Sequence, residues 1–205
     1  MNESSVTLEA HGEEFGGRLA TPAEDTDRCV LVVPGAGHGP FGDVFDRFTE
    51  AAVDQGVAVA RFETWRDHDG LRAKTDAEFE AELDAGVAFL RARGCSTVAL
   101  VAKSFGGRLA LTHRPDVDRQ VLWAPAILFG EHDDAPSVTA AELARVTAPV
   151  RLLQGTDDEV VSVDTARAID DHLPTSDLVE LPGEDHSFRH DEQRVVEETV
   201  AFLSE

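Results

Sequence analysis

Val98-Ala99-Leu100-Val101-Ala102-Lys103-Ser104-Phe105-Gly106-Gly107 is the stretch that decides how this chain folds. Apolar residues, most of them small or β-branched, fill the composition of a strand buried on both faces. They stop at a serine, a glycine pair follows, and Arg108-Leu109-Ala110-Leu111 continues as a helix-compatible segment. The order is buried strand, sharp turn, helix, with Ser104 at the apex. Such a turn strains the serine backbone and lifts its hydroxyl out of the sheet. Only small residues then fit two places before and after the serine, and Ala102 and Gly106 occupy those places. An ordinary strand–helix loop or a phosphate-binding glycine turn shares part of this pattern, so the rest of the chain must supply chemical partners.

Three further loops leave predicted strands. Cys29-Val30-Leu31-Val32-Val33 leads into Pro34-Gly35-Ala36-Gly37-His38-Gly39-Pro40. Val150-Arg151-Leu152-Leu153-Gln154 leads into Gly155-Thr156-Asp157-Asp158-Glu159-Val160-Val161. Leu178-Val179-Glu180-Leu181 leads into Pro182-Gly183-Glu184-Asp185-His186-Ser187-Phe188. Loops in these positions are where open α/β sheets place their sites. A serine hydroxyl is a poor nucleophile near neutral pH and needs a base to take its proton. That base, a histidine, needs a carboxylate to fix its tautomer and stabilise the imidazolium. Ser104, the acids of the second loop and His186 make up such a set. The glycine-rich loop after Val33 is not G-x-G-x-x-G and lacks the Lys-Ser/Thr pair of a P-loop, so nucleotide binding is not expected.

With these residues in view, the chain resembles the α/β-hydrolase superfamily. Ala102-Lys103-Ser104-Phe105-Gly106 is similar to that family's nucleophile elbow, in the form A-x-S-x-G rather than G-x-S-x-G. Gly155 to Val161 resembles its acid loop, Gly183 to Phe188 its histidine loop, and serine–acid–histidine is its chain order. The resemblance implies Ser104 as nucleophile, His186 as general base and Asp158 as the acid; Asp157 is the rival for that last role, and Glu159 a distant third. It implies an oxyanion hole of two backbone N–H groups. One comes from Phe105, at a helix N-terminus where the macrodipole favours negative charge. The other comes from the loop after Val33, where the family form is H-G-x-G. Pro34 replaces its histidine and Ala36 aligns with the donor, with Gly37 the alternative; Gly37 and His38 are candidates to line the substrate pocket. The compact layout looks most like the dienelactone-hydrolase group and related small esterases. That group carries a cysteine nucleophile where this chain has Ser104, a departure that favours a general ester or thioester hydrolase. An acyltransferase or peptidase using the same triad, and a non-catalytic binding protein on this fold, are the other readings.

Several residues have competing roles. Lys103 either binds an acidic substrate group or, the favoured reading, packs behind the elbow, since neighbouring side chains diverge in a tight turn. Arg108 is expected to anchor the following helix through a carboxylate pair. His172 falls in a predicted helix and His190 beyond the motif, so neither is expected in the site.

The chain has 205 residues, enough for a single domain with a substantial core. Asp and Glu number 40 against 18 Lys and Arg, a formal charge of -22 that repels nucleic acid and anionic membranes. The acids are spread along the chain and arginine greatly outnumbers lysine, a pattern that points to a salt-rich cytoplasm where screening silences self-repulsion. No apolar run approaches the ~20 residues that cross a bilayer. The N-terminus, Met1-Asn2-Glu3-Ser4-Ser5, is acidic and lacks the basic and apolar regions of a signal peptide, so a cytoplasmic location is expected. Cys29 and Cys95 lack C-x-x-C spacing. If the sheet order follows the family their strands are neighbours, and the thiols are expected to lie close without being bonded. The segments His132-Asp133-Asp134 and His190-Asp191-Glu192 read as solvated acidic stretches, and no metal or cofactor is expected.

The organisation is that of one doubly wound α/β domain over 1–205 with a mostly parallel sheet. An antiparallel hairpin, Val6–Glu9 and Phe15–Ala20, turns near Gly12. Strands follow at Cys29–Val33, Ala58–Phe62, Thr97–Ala102, Gln120–Trp123, Val150–Gln154 and Leu178–Leu181. Helical patterns lie at Phe41–Gln55, Asp76–Arg93, Phe105–His113, Val163–His172 and Glu192–Leu203. The only room for a lid is 126–148, with a loop to Pro136 and an amphipathic helix over Val138–Val146. Thr64 to Gly70 is expected to be a second substrate-facing loop. With so little cap the site should be open, which suits small or extended substrates better than a closed apolar tunnel would.

Overall fold

The computed structural model describes residues 1–204. Strands β1 (Asn2–Ala10) and β2 (Glu13–Thr21) form an antiparallel hairpin. His11 and Gly12, which join them, both have positive φ (40° and 89°), as a two-residue hairpin turn matched to strand twist requires. There follow β3 (Arg28–Val33), α1 (Asp43–Asp54), β4 (Ala58–Phe62), α2 (His68–Arg72), α3 (Asp76–Arg91), β5 (Thr97–Lys103) and α4 (Phe105–His113). The second half runs β6 (Arg119–Trp123), β7 (Leu128–Phe129), β8 (Ser137–Val138), α5 (Ala140–Leu143), β9 (Val150–Gly155), α6 (Val163–Asp170), β10 (Ser176–Leu181) and α7 (Glu192–Leu203).

Eight strands form one sheet in the order β1-β2-β4-β3-β5-β6-β9-β10. From β4 to β10 neighbours are parallel, and the hairpin joins antiparallel through β2 on β4. The period-2 alternation of each strand divides the core in two. Cys29, Leu31 and Val33 of β3, with Val98, Leu100 and Ala102 of β5, face a layer closed by Phe79, Leu83 and Leu90 of α3 and Leu109 of α4. Val30, Val32, Ala99 and Val101 face the other side, against Phe45 and Phe48 of α1 and Val195 and Phe202 of α7. The central strands are thus buried on both faces, as their unbroken apolar composition required.

Three expectations need correction. Val138–Val146 is not one helix. Val138 lies in β8, which pairs parallel with β7, and only Ala140–Leu143 is helical after a Thr139–Glu142 capping box. Ile127, Val138, Leu143 and Val146 from this stretch are buried in the core. Arg108 lies over the Phe105 ring, 5.4 Å from its centroid, in place of the carboxylate pair.

The cysteines, expected unbonded, form a disulfide, Cys29–Cys95, with Cα atoms 5.9 Å apart. Parallel pairing of β3 with β5 sets Cys29 opposite Val98, and Cys95 stands just before β5, which brings the two sulfurs together. Disulfides persist in oxidising surroundings and are rare in a reducing cytoplasm, so this bond pulls against a cytoplasmic location. Among the described residues no helix is long and apolar enough to cross a membrane. The bond spans a sequence separation of 66 residues, and closing a loop of that size in the unfolded chain corresponds to about 4 kcal/mol. Cys29→Ala/Cys95→Ala is therefore expected to lower the melting temperature by about 10 °C. Two free thiols on titration of the denatured, unreduced protein would contradict the bond.

Candidate active site

The elbow has the predicted strain. Ser104 sits at φ 51°, ψ −111° between β5 and α4, outside the regions that L-residues favour. Its N–H donates to the Trp123 carbonyl (2.8 Å), and its own carbonyl accepts from Arg108 and Ala126 N–H groups (3.0 and 2.9 Å). The backbone is therefore held on both sides, the condition under which such strain persists. Close packing accounts for the glycines. A Cβ at Gly106 would lie 2.6 Å from the Val33 carbonyl oxygen, and one at Gly107 would lie 2.9 Å from the Pro125 Cβ.

The three predicted triad residues meet. Ser104 Oγ lies 2.9 Å from His186 Nε2, and His186 Nδ1 lies 2.8 Å from Asp158 Oδ2. Asp158 is buried, whereas Asp157 and Glu159 are exposed. Asp157 turns its carboxylate to the Thr156 hydroxyl (3.2 Å). Asp158 Oδ1 accepts the Val160 and Val161 N–H groups (2.7 and 2.9 Å), and Oδ2 accepts from Gln154 Nε2 (2.8 Å) as well as from His186. Burial alone would raise the Asp158 pKa. The hydrogen bonds from His186, Val161, Val160 and Gln154 outweigh it and hold the carboxyl below its ordinary value. Asp158 is thus ionised at neutral pH and can only accept. The proton must then sit on His186 Nδ1, which leaves the Nε2 lone pair to accept from the Ser104 hydroxyl.

The loops that carry the acid and the histidine are tied together. A Cβ at Gly155 would stand 2.2 Å from the Glu184 carbonyl oxygen, so only glycine lets the histidine loop lie this close, and the Asp157 N–H donates to that same oxygen (3.0 Å). Phe188, two places after His186, is wholly buried at φ 57° and pins the loop into the core. Lys103 packs behind the elbow, 7% exposed, with Nζ 3.3 Å from the Ser187 carbonyl and 5.6 Å from the Phe188 ring centroid. Burial holds its ammonium below the usual lysine range, against the opposing pull of Asp185, Glu192 and Asp43.

The loop after β3 passes directly over the serine. A Cβ at Gly35 would come 3.3 Å from the Ser104 Cβ, which places the following Ala36 beside the elbow. Phe105 N–H opens α4 immediately after Ser104. Gly37 is exposed, and a Cβ there would lie 3.9 Å from Nε2 of His68 on α2. His38 is exposed. Its Nδ1 pairs with the Gly39 carbonyl (3.0 Å), and it lines a cavity of about 170 Å³ with Asp43, Lys103, Ser187, Arg189 and Glu192. His172 and His190 lie outside the site: His172 bonds the Ala168 carbonyl (2.8 Å), and His190 faces Glu184 (3.5 Å).

Two residues assigned no catalytic or positioning role from sequence touch this machinery. Gln154, wholly buried, was read only as the end of a strand; its amide also donates to the Val161 carbonyl (3.0 Å) and so braces the acid loop. A polar residue ending an apolar strand next to the acid is the signal that was available. Trp65 was expected in a substrate-facing loop, yet it is buried and its indole N–H donates to the Gly35 carbonyl (2.9 Å). Arg66, Asp67, His68 and Asp69 are the exposed part of that loop.

Residues 26–201 match the family model described as an alpha/beta hydrolase domain. No curated protein matches the chain by sequence. Among solved structures the chain is similar to Est1E from Butyrivibrio proteoclasticus, with 16% identity, TM-score 0.81 and 97% of each chain covered. It is similar also to a putative dienelactone hydrolase from Klebsiella pneumoniae (17% identity, TM-score 0.83, 100% of this chain and 98% of that one). A dienelactone hydrolase from Anabaena variabilis gives 19% identity and TM-score 0.83, over 99% of this chain and 97% of that one.

Proposed function

The chain belongs to the alpha/beta hydrolase family, and from that premise we propose that it is a serine hydrolase that cleaves carboxylic esters or thioesters of small molecules through an acyl-serine intermediate. The observation that carries this reading is the unbroken chain of short contacts from Ser104 through His186 to a buried, ionised Asp158. A binding protein on this fold has no use for that arrangement on a strained serine.

In the proposed cycle Ser104 Oγ attacks the acyl carbonyl carbon while His186 Nε2 takes the hydroxyl proton. The carbonyl π electrons move onto oxygen, and the resulting oxyanion is met by the N–H groups of Phe105 and Ala36. Phe105 contributes further as the first residue of α4, where the helix dipole is positive. When the tetrahedral species collapses, the C–O or C–S bond to the leaving group breaks, and that group receives the proton from His186. Water then attacks the acyl-serine with His186 again as base, which releases the acid and restores Ser104. Asp158 keeps the imidazole oriented and stabilises its charged form throughout. Gly37, with His68 beside it, forms one rim of the proposed substrate approach. His38 borders the cavity it shares with Lys103 and Ser187.

Esterase and dienelactone hydrolase structures among those similar to this chain fit ester chemistry. A panel of short p-nitrophenyl esters, thioesters and lactones, run beside labelling by a fluorophosphonate probe, tests the proposal. Stoichiometric labelling with turnover of at least one acyl class is expected. A folded protein that neither labels nor turns over any of them would reject hydrolase activity in favour of a binding role.

We also read the protein as adapted to high salt, on its net charge of -22. At molar salt the Debye length falls to about 3 Å, so repulsion among surface carboxylates is largely removed. The melting temperature should rise steeply as KCl approaches molar concentration. A flat or falling profile between low and molar KCl would reject salt adaptation and leave the triad untouched.

A further inference from the structure

We infer that Trp65 is the positioning residue of the oxyanion hole, fixing the peptide that carries the Ala36 N–H; this rests on the serine hydrolase reading above. The argument begins with the peptide plane. In a trans peptide the C=O and the N–H of the next residue lie in one rigid plane and point in opposite directions. The structure has no cis bond among its described residues, so the Gly35 carbonyl and the Ala36 N–H are locked back to back. Trp65 Nε1–H holds that carbonyl at 2.9 Å. The hydrogen bond therefore sets the direction of the Ala36 N–H, which is turned away from the indole, and Gly35 itself lies against Ser104.

Trp65 is itself held rigidly. It is 4% exposed and sits edge-on to Phe79 and Phe105, with ring centroids 5.5 and 5.6 Å away and interplanar angles of 90° in both cases. Phe79 and Phe105 close the triangle at 5.0 Å. The same indole thus bonds the peptide of one proposed donor and packs against the side chain of the other. Both N–H groups are referred to one rigid body, the condition for a preorganised oxyanion site. Without Trp65 the Gly35–Ala36 peptide has lost this constraint in a glycine-rich loop, Gly35-Ala36-Gly37, whose backbone is intrinsically free to rotate.

Removing an oxyanion donor outright lowers kcat by about 10²–10³, so releasing its orientation is expected to cost about tenfold in kcat, with KM changed less than about twofold. The test compares wild type with Trp65→Phe and with a protein carrying 3-benzothienylalanine at position 65. The latter keeps the bicyclic shape and replaces the N–H by sulfur, so it separates the hydrogen bond from packing if Trp65→Phe does not fold. On the best p-nitrophenyl ester, the isostere should lose kcat as stated, and binding of a trifluoromethyl ketone, whose adduct carries the oxyanion, should weaken in parallel. An isostere with wild-type kcat and wild-type trifluoromethyl ketone affinity, whatever its melting temperature, would overturn the inference and leave the hydrolase reading standing. Wild-type protein that neither labels at Ser104 nor hydrolyses any ester would overturn both.

Discussion

Ser104→Ala is expected to remove hydrolysis altogether, lowering kcat on the order of 10⁶-fold, the scale of loss when a triad nucleophile is deleted. The hydroxyl's contact is with His186 Nε2, so the substitution takes away the attacking atom while the backbone bonds to Trp123, Arg108 and Ala126 remain. The melting temperature should move little, because the small side chain at φ 51° is retained in size and in strain. Ester turnover, fluorophosphonate labelling and thermal unfolding on one preparation check this. A folded Ser104→Ala protein with turnover within a hundredfold of wild type would place the nucleophile elsewhere.

Asp158→Asn should cost about 10⁴-fold in kcat, as neutralising a triad acid does by favouring the wrong imidazole tautomer. The carboxylate accepts four hydrogen bonds, from Val160, Val161, Gln154 and His186. An amide offers one oxygen and two N–H donors, so donors that met a carboxylate oxygen would face another donor. About 1–3 kcal/mol of stability should be lost with the activity. Asp157→Asn should leave kcat within about twofold, since Asp157 is exposed and its carboxylate meets the Thr156 hydroxyl. Kinetics on the two variants decide between the neighbouring acids: if Asp157→Asn proves the more damaging, the role belongs to Asp157.

The parts of this architecture that the sequence made legible are those where short-range chemistry has one solution. Buried parallel strands must be largely apolar on both faces, so β3 and β5 stand in the sequence as unbroken apolar runs over Cys29 to Val33 and Val98 to Ala102, and β4, β6 and β9 as apolar runs interrupted by Arg61, Gln120 and Arg151. The elbow was legible because a Cβ at Gly106 or Gly107 would strike Val33 or Pro125. What was not legible depends on tertiary placement. The helix α2 has five residues, too few for a periodic signal, and exists because Asp67 accepts the Asp69 and Gly70 N–H groups (3.1 and 2.9 Å). The Cys29–Cys95 bond required the register of β3 on β5. The loop Thr64 to Gly70 is expected from sequence to face substrate, and only the packing against α3 and α4 shows the Trp65 side chain turned inward. Between the neighbouring acids the family spacing favours Asp158, and it is the Asp158 carboxylate that meets His186.

The most direct measurement is rapid quenching of the protein with an ester that it turns over, followed by intact-mass analysis and peptide mapping. His186→Ala runs in parallel, because loss of the base should slow release of any acyl group that does form. An increment equal to the acyl group, located on the peptide that contains Ser104 and absent from Ser104→Ala, is the predicted result. Continued turnover with no covalent increment, or an increment on a peptide lacking Ser104, would contradict acyl transfer through this serine.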